Sequence, residues 1–150
     1  MMEALFYIAS LIALIATIAA LSRANAAHAL IYLIVSLLAV AVLFFLMGAP
    51  FAAALEIVIY AGAIMVLFVF VIMMLNLGDT GVAREQEWLS GRAWLVPGIM
   101  AGLLLLELLL ALSSAEGTSS GSAVEPKAVG IALFGPYVLA VEIASMLLLA

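Results

Sequence analysis

FAAALEIVIYAGAIMVLFVFVIMML, residues 51–75, decides the class of this chain. Wound as an α-helix at about 1.5 Å per residue, it reaches roughly 37 Å, more than the ~30 Å hydrocarbon core of a bilayer. The stretch therefore reads as a membrane crossing. It carries a single side chain that ionises near neutral pH, Glu56. An acid inside a span is costly, with insertion scales putting a central Asp at about 2.5 to 3.5 kcal/mol. Glu56 is on that ground a functional candidate. Four residues on, and on the same face of an α-helix, comes Tyr60, and Gly62 follows two residues later. A group that can hold a proton, a hydroxyl and a weak point in the backbone thus lie within two turns.

The rest of the chain agrees. Of its 150 residues 70% are hydrophobic and 9% charged, against roughly 25% charged in soluble domains. With no Cys, thiolate-held iron–sulfur clusters, disulfides and cysteine zinc sites are excluded. One histidine, His28, cannot supply a bis-histidine haem site. No cofactor or metal is expected to be bound by this chain. A net charge of −5 with scattered acids leaves no basic patch for nucleic acid. Lipid and other membrane proteins are the expected neighbours.

Apolar runs predict an all-α integral membrane protein in a single domain, with five spans at about 4–21, 26–47, 51–75, 93–112 and 131–150. The first is read as a permanent span, since no positive n-region precedes it. Gly48, Ala49 and Pro50 form a turn, with proline suited to the first turn of the next helix. Asn76, Gly78, Asp79 and Gly81 read as a stop and turn after the third span. The following segment, with Arg84, Glu85, Glu87, Trp88, Arg92 and Trp94, reads as interfacial rather than phosphate-binding. A polar connector is expected over 113–130. Pro136 is expected to break or kink the start of the fifth span, leaving about 21 Å of helix from Tyr137. The fifth span is accordingly expected to be cut short by the end of the chain. Arg23, Arg84 and Arg92 lie in odd loops and only Lys127 in an even one, so the positive-inside rule predicts an N-terminus outside.

The chemical candidates each have a structural alternative. Loss of water disfavours the charged form of a carboxyl, which fits a buried acid for taking and passing on a proton. For Glu56 the alternative is an acid tolerated by the positive end of its helix, and the proton-handling reading is preferred. Tyr60 relays a proton or bonds to a neighbouring helix. Gly62, among Ala52, Ala53, Ala54, Ala61 and Ala63, reads by composition as a packing residue. Glu142 is a buried relay or a helix-contact acid. Glu107 reads as an acid near the end of its span that snorkels to the interface. His28 reads as a cap or interfacial residue. A proton path must bridge ~30 Å of hydrocarbon in hydrogen-bonded steps of about 3 Å. The few polar groups here cannot tile that distance, so the chain reads as one part of a larger assembly.

ALEIVIYAGAIMVLFVFVIMMLNLG, residues 54–78, resembles the third transmembrane helix of the subunit J family of bacterial NADH-quinone oxidoreductase, respiratory complex I, which includes the mitochondrial subunit six. FYIASLIALIAT at 6–17, HALIYLIVSLLAV at 28–40, QEWL in the third loop and KAVGIALFGPYVLAVEIASMLLLA at 127–150 resemble the same family. The likeness is loosest over 93–125. It implies five transmembrane helices in the bacterial inner membrane and a non-redox subunit of a proton-translocating NADH:quinone oxidoreductase. It also implies that NADH, FMN, iron–sulfur clusters and quinone are held by other subunits. The implied neighbours are the quinone-site subunit, the subunits K (small) and A, and the antiporter-like subunits. Further, the resemblance implies that the third helix can carry a π-bulge around Tyr60 to Phe68, with Gly62 as the hinge of a register switch and Val66 or Phe68 gating water. Two readings compete from other classes. One is a small proton-coupled exporter, although such proteins carry their acid in the first span. The other is a purely structural membrane subunit.

Overall fold

The computed structural model describes residues 2–23, 25–75, 94–115 and 123–150. Every regular element among the described residues is helical: α1 (Met2–Ser22), α2 (Ala26–Leu46), α3, α4 (Leu95–Ala115), α5 (Pro126–Phe134) and α6 (Val138–Leu149). α3 is a single rod with three windings, α-helical over Pro50–Leu55, π-helical over Glu56–Ile64 and α-helical again over Met65–Leu75. The helices α1 to α4 are each long and apolar enough to cross a membrane. A fifth apolar stretch is the pair α5 and α6, bent by 84° at the break between them. The expected all-helical membrane fold is the one observed. The turn residues Asn76, Gly78, Asp79 and Gly81, together with Arg84, Glu85, Glu87, Trp88 and Arg92 of the third loop, lie outside the described residues.

α2 is the centre, packed by α1, α3 and α4. Its start is closed by Asn25, whose side-chain oxygen accepts a hydrogen bond from the Ala27 amide at 2.9 Å, satisfying one of the amides a helix start leaves unpaired. Beside it Arg23 turns back onto α2. Its guanidinium donates to the Tyr32 hydroxyl at 3.3 Å and lies 5.1 Å from that ring's centroid, within cation–π range. Along the α1–α2 seam Ala9, Ala16 and Ala39 are wholly buried, with Ile12, Val35 and Val42 filling between them. Small residues let helix backbones approach in lipid, where association rests on close packing and interhelical hydrogen bonds. One such bond is present: the Thr17 and Ser36 hydroxyls lie 2.8 Å apart, and Ser36 also donates to the Ala13 carbonyl at 3.2 Å. α4 adds Leu104 and Met100 to this seam.

The α2–α3 hairpin closes as the sequence predicts, through Gly48 at φ +80° and Pro50 in the first turn of α3. The Gly48 carbonyl also accepts from the Val124 amide at 2.9 Å, which ties the segment before α5 to this turn. α5 starts at Pro126, inside the stretch expected as connector, because a proline at the first helical position gives up an amide that has no helical partner. The break before α6 falls at Gly135, Pro136 and Tyr137. Pro136 brings no amide to continue the ladder. A Cβ on residue 135 would lie 2.7 Å from the Ile131 carbonyl oxygen, so the bend needs glycine there.

Candidate functional site

The π winding sits in the middle of α3 and contains Glu56, Tyr60 and Gly62. In an α-helix each amide bonds to the carbonyl four residues back, whereas in a π-helix it bonds five back, and each such turn takes up one extra residue. The Glu56 amide still closes the α-helical turn on Ala52 and Ala53, while the Met65 amide reaches back to the Tyr60 carbonyl. Gly62 lies inside the widened turn, close to the carbonyl of the turn before it. A Cβ there would be 3.1 Å from the Ile57 carbonyl oxygen, the one five residues back.

This winding sets which residues meet the bundle. With α-helical spacing from Ala53, positions 57, 60 and 64 would follow one another down the inward face. Of these, Ile64 is partly buried, but Ile57 and Tyr60 are 44% and 50% exposed, while Glu56, Ala61 and Gly62 are partly buried. Met65, at 5% exposure, then seals the next turn. The extra residue has moved Tyr60 off the packed side and brought Met65 onto it. The resemblance led us to expect a bulge around Tyr60 to Phe68. The observed winding begins and ends one turn earlier, so Val66 and Phe68 lie in the α-helical part of α3, both well exposed. Gly62 lies within this winding, where an added Cβ would press on the carbonyl five residues back.

Glu142 lies on an exposed face of α6, and the Ser145 hydroxyl donates to its backbone carbonyl at 2.8 Å. α6 packs chiefly on α5 rather than on α3, so Glu142 is not gathered with Glu56 and Tyr60. His28 stands in the first turn of α2, whose cap is supplied by Asn25. Among the described residues no three His, Asp or Glu side chains come together as a group able to hold a metal ion.

Glu107 corrects the sequence reading. α4 continues to Ala115, three residues beyond the expected end, and the side chain faces inward. It is 2% exposed, and neither carboxyl oxygen has a hydrogen-bond partner among the described residues. The clue was faint. From Leu103 to Leu112 every residue is leucine except Glu107 and Ala111, which share one face with Met100 and Leu104 at steps of four, three and four residues. Only the packing of that face on α1 and α2 shows that it is the buried one.

Residues 16–150 match the family described as NADH-ubiquinone/plastoquinone oxidoreductase chain 6. The chain is 53% identical to NADH-quinone oxidoreductase subunit J of Escherichia coli (strain K12) over 150 residues, covering 99% of this chain and 82% of that protein. It is 55% identical to the protein of the same name from Pseudomonas aeruginosa over 151 residues, covering 99% of this chain and 91% of the relative. The subunit J of Buchnera aphidicola from Acyrthosiphon pisum is 47% identical, over 99% of this chain and 88% of that one. An all-helical apolar chain that matches the family profile almost end to end, and shares half its residues with such relatives, belongs to the NADH-ubiquinone/plastoquinone oxidoreductase chain 6 family.

Proposed function

We propose that this chain is a non-redox membrane-arm subunit of a proton-pumping NADH-quinone oxidoreductase, and that its third helix couples quinone reduction to proton movement. The observation that carries the reading is the nine-residue π winding of α3, which holds Glu56, Tyr60 and Gly62 in the middle of a membrane span. π-bulges occur often at functional sites, and one residue more or less in a helix turns everything beyond it by about 100°. A change between π and α winding at Gly62 therefore swings Val66 and Phe68 round the helix axis. Both side chains are exposed on this chain, where the neighbouring subunits of an assembly meet them. In one register they close a water file along the axis; in the other they open it.

Glu56 takes a proton on a carboxyl oxygen and hands it to the next oxygen of the file, with Tyr60 able to donate and accept in the same step. Glu142, on the separate α6, contributes to a different stretch of the route. The partners in this reading are the quinone-site subunit, the subunits K (small) and A, and the antiporter-like subunits. NADH, FMN, the iron–sulfur clusters and quinone reside on other subunits. The chain lies in the inner membrane with its N-terminus outside, as the placement of Arg23, Arg84 and Arg92 suggests.

The test uses the assembled enzyme in liposomes. Glu56→Gln removes the exchangeable proton and keeps the shape of the side chain. Proton uptake per quinone reduced is expected to fall; full retention of both pumping and quinone reduction would remove Glu56 from the route. A bulky residue at 62, such as Leu, is expected to uncouple the two activities. Unchanged coupling in that variant would leave the register switch without support.

A further inference from the structure

Glu107 has no part in the scheme above, and its surroundings differ from those of Glu56 in kind. It stands on the buried stripe of α4 between Leu104, 4% exposed, and Ala111, fully buried. That stripe packs on α2 and α1. The buried positions of α1 carry no ionisable side chain. Those of α2 include two polar groups, Tyr32 and Ser36. The Tyr32 hydroxyl receives the Arg23 guanidinium, and the Ser36 hydroxyl is engaged with Thr17 and the Ala13 carbonyl. The other ionisable groups of the two helices are Glu3, Tyr7, Arg23 and His28, and none of them is a buried residue of the seam. Among the described residues the Glu107 carboxyl therefore meets neither a cation nor a free hydroxyl, and both its oxygens are unpartnered.

An ionised carboxylate in such a place loses its hydration and gains nothing in exchange, and groups so placed neutralise instead. We propose that Glu107 is a proton-binding site sealed inside the subunit. Its carboxyl carries a proton while α1, α2 and α4 are packed together, and giving that proton up requires the seam to open. The ligand is the proton itself. The site is separate from the outward strip of α3 and works whether or not that strip relays protons.

The experiment is infrared spectroscopy of the assembled enzyme in lipid, comparing the natural protein with Glu107→Gln and with Glu107→Leu, a neutral replacement of similar bulk. The expected result is the loss, in both variants, of one carbonyl stretch of a protonated carboxyl that moves to lower frequency in heavy water. A loss among the carboxylate stretches instead would overturn the proposal. Failure of both neutral variants to assemble would overturn it too, because the proposal holds that the packed seam accepts a neutral side chain. Hydrogen exchange of the α4 amides at alkaline pH adds a second readout against Glu107→Gln at the same pH. Exchange is expected to rise about tenfold more in the natural protein. Equal rises in the two proteins would show that opening of the seam is not linked to Glu107.

Discussion

The sparsely packed helix α3, with its outward strip, and the inward seam of α1, α2 and α4 each hold one acid, and they enclose it to different degrees, Glu56 in part and Glu107 almost wholly. Glu56 sits at the start of a π winding on a helix most of whose surface is unpacked within the subunit. Glu107 sits in a regular α-helix with its whole side chain enclosed. The strip is unfinished within one chain. Its large side chains Val58, Tyr60, Val66 and Phe68 are exposed, as suits groups that act together with neighbours. The seam is closed by fully buried alanines and by the paired Thr17 and Ser36 hydroxyls, and it leaves both Glu107 oxygens unpartnered among the described residues. The difference teaches that an acid in a span is not one kind of feature. How far such an acid is enclosed depends on which side of the helix the packing leaves open.

The hardest blow to this contrast is Glu107→Lys, which puts a basic amine, charged in water, where the acid stands. At about 2.5 to 3.5 kcal/mol for a charged side chain at the centre of a span, it is expected to lower the amount of assembled protein in the membrane by about two orders of magnitude. Quantitative native gels read that loss. A lysine at 56 is expected to be far better tolerated for assembly, and equal losses at the two positions would erase the distinction between strip and seam.

Next in size is Glu56→Gln. If the strip carries protons, proton translocation in liposomes falls by about tenfold or more, since a positioned acid or base commonly contributes 10²- to 10⁴-fold to a proton transfer, while assembly stays near normal. Glu107→Gln serves as the companion measurement and is expected to leave translocation close to that of the natural protein.

A smaller effect is expected at Gly62→Ala. The added methyl would meet the Ile57 carbonyl at 3.1 Å in the π winding, and tight insertions of this kind cost about 1 kcal/mol or more. The ratio of π to α register should fall about fivefold. Electron cryo-microscopy of the assembled enzyme, with particles sorted by the backbone register of α3, measures that ratio. An unchanged ratio would mean that Gly62 is not what permits the winding.

Smallest is Thr17→Val within the seam, which removes the hydroxyl contact to Ser36. Interhelical hydrogen bonds in membranes average about 0.6 kcal/mol, so a roughly threefold shift in resistance to unfolding by detergent is expected. The same change should leave pumping untouched, as befits a bond that belongs only to the seam.

Much of this was readable from residues. The length and apolarity of 51–75, the turn at Gly48 and Pro50, the break at Pro136 and the family likeness all come from local chemistry that no partner alters. A run of apolar side chains longer than the bilayer is thick reads as a crossing, and proline beyond the first turn of a helix interrupts its hydrogen-bond ladder. Glu56 stood out because a charge among apolar neighbours is visible in one dimension.

What the tertiary structure alone decided is direction. α4 is apolar on nearly all sides, so its sequence marks the packed face only faintly, and Glu107 reads as an interfacial acid although α1 and α2 cover it. The same holds along α3, where the extra residue of the π winding sends Tyr60 outward and Met65 inward. In a membrane the apolar surroundings of lipid and of protein look alike to a sequence. The burial of a given side chain is therefore set by which helices meet and in what register, and only the folded chain contains that.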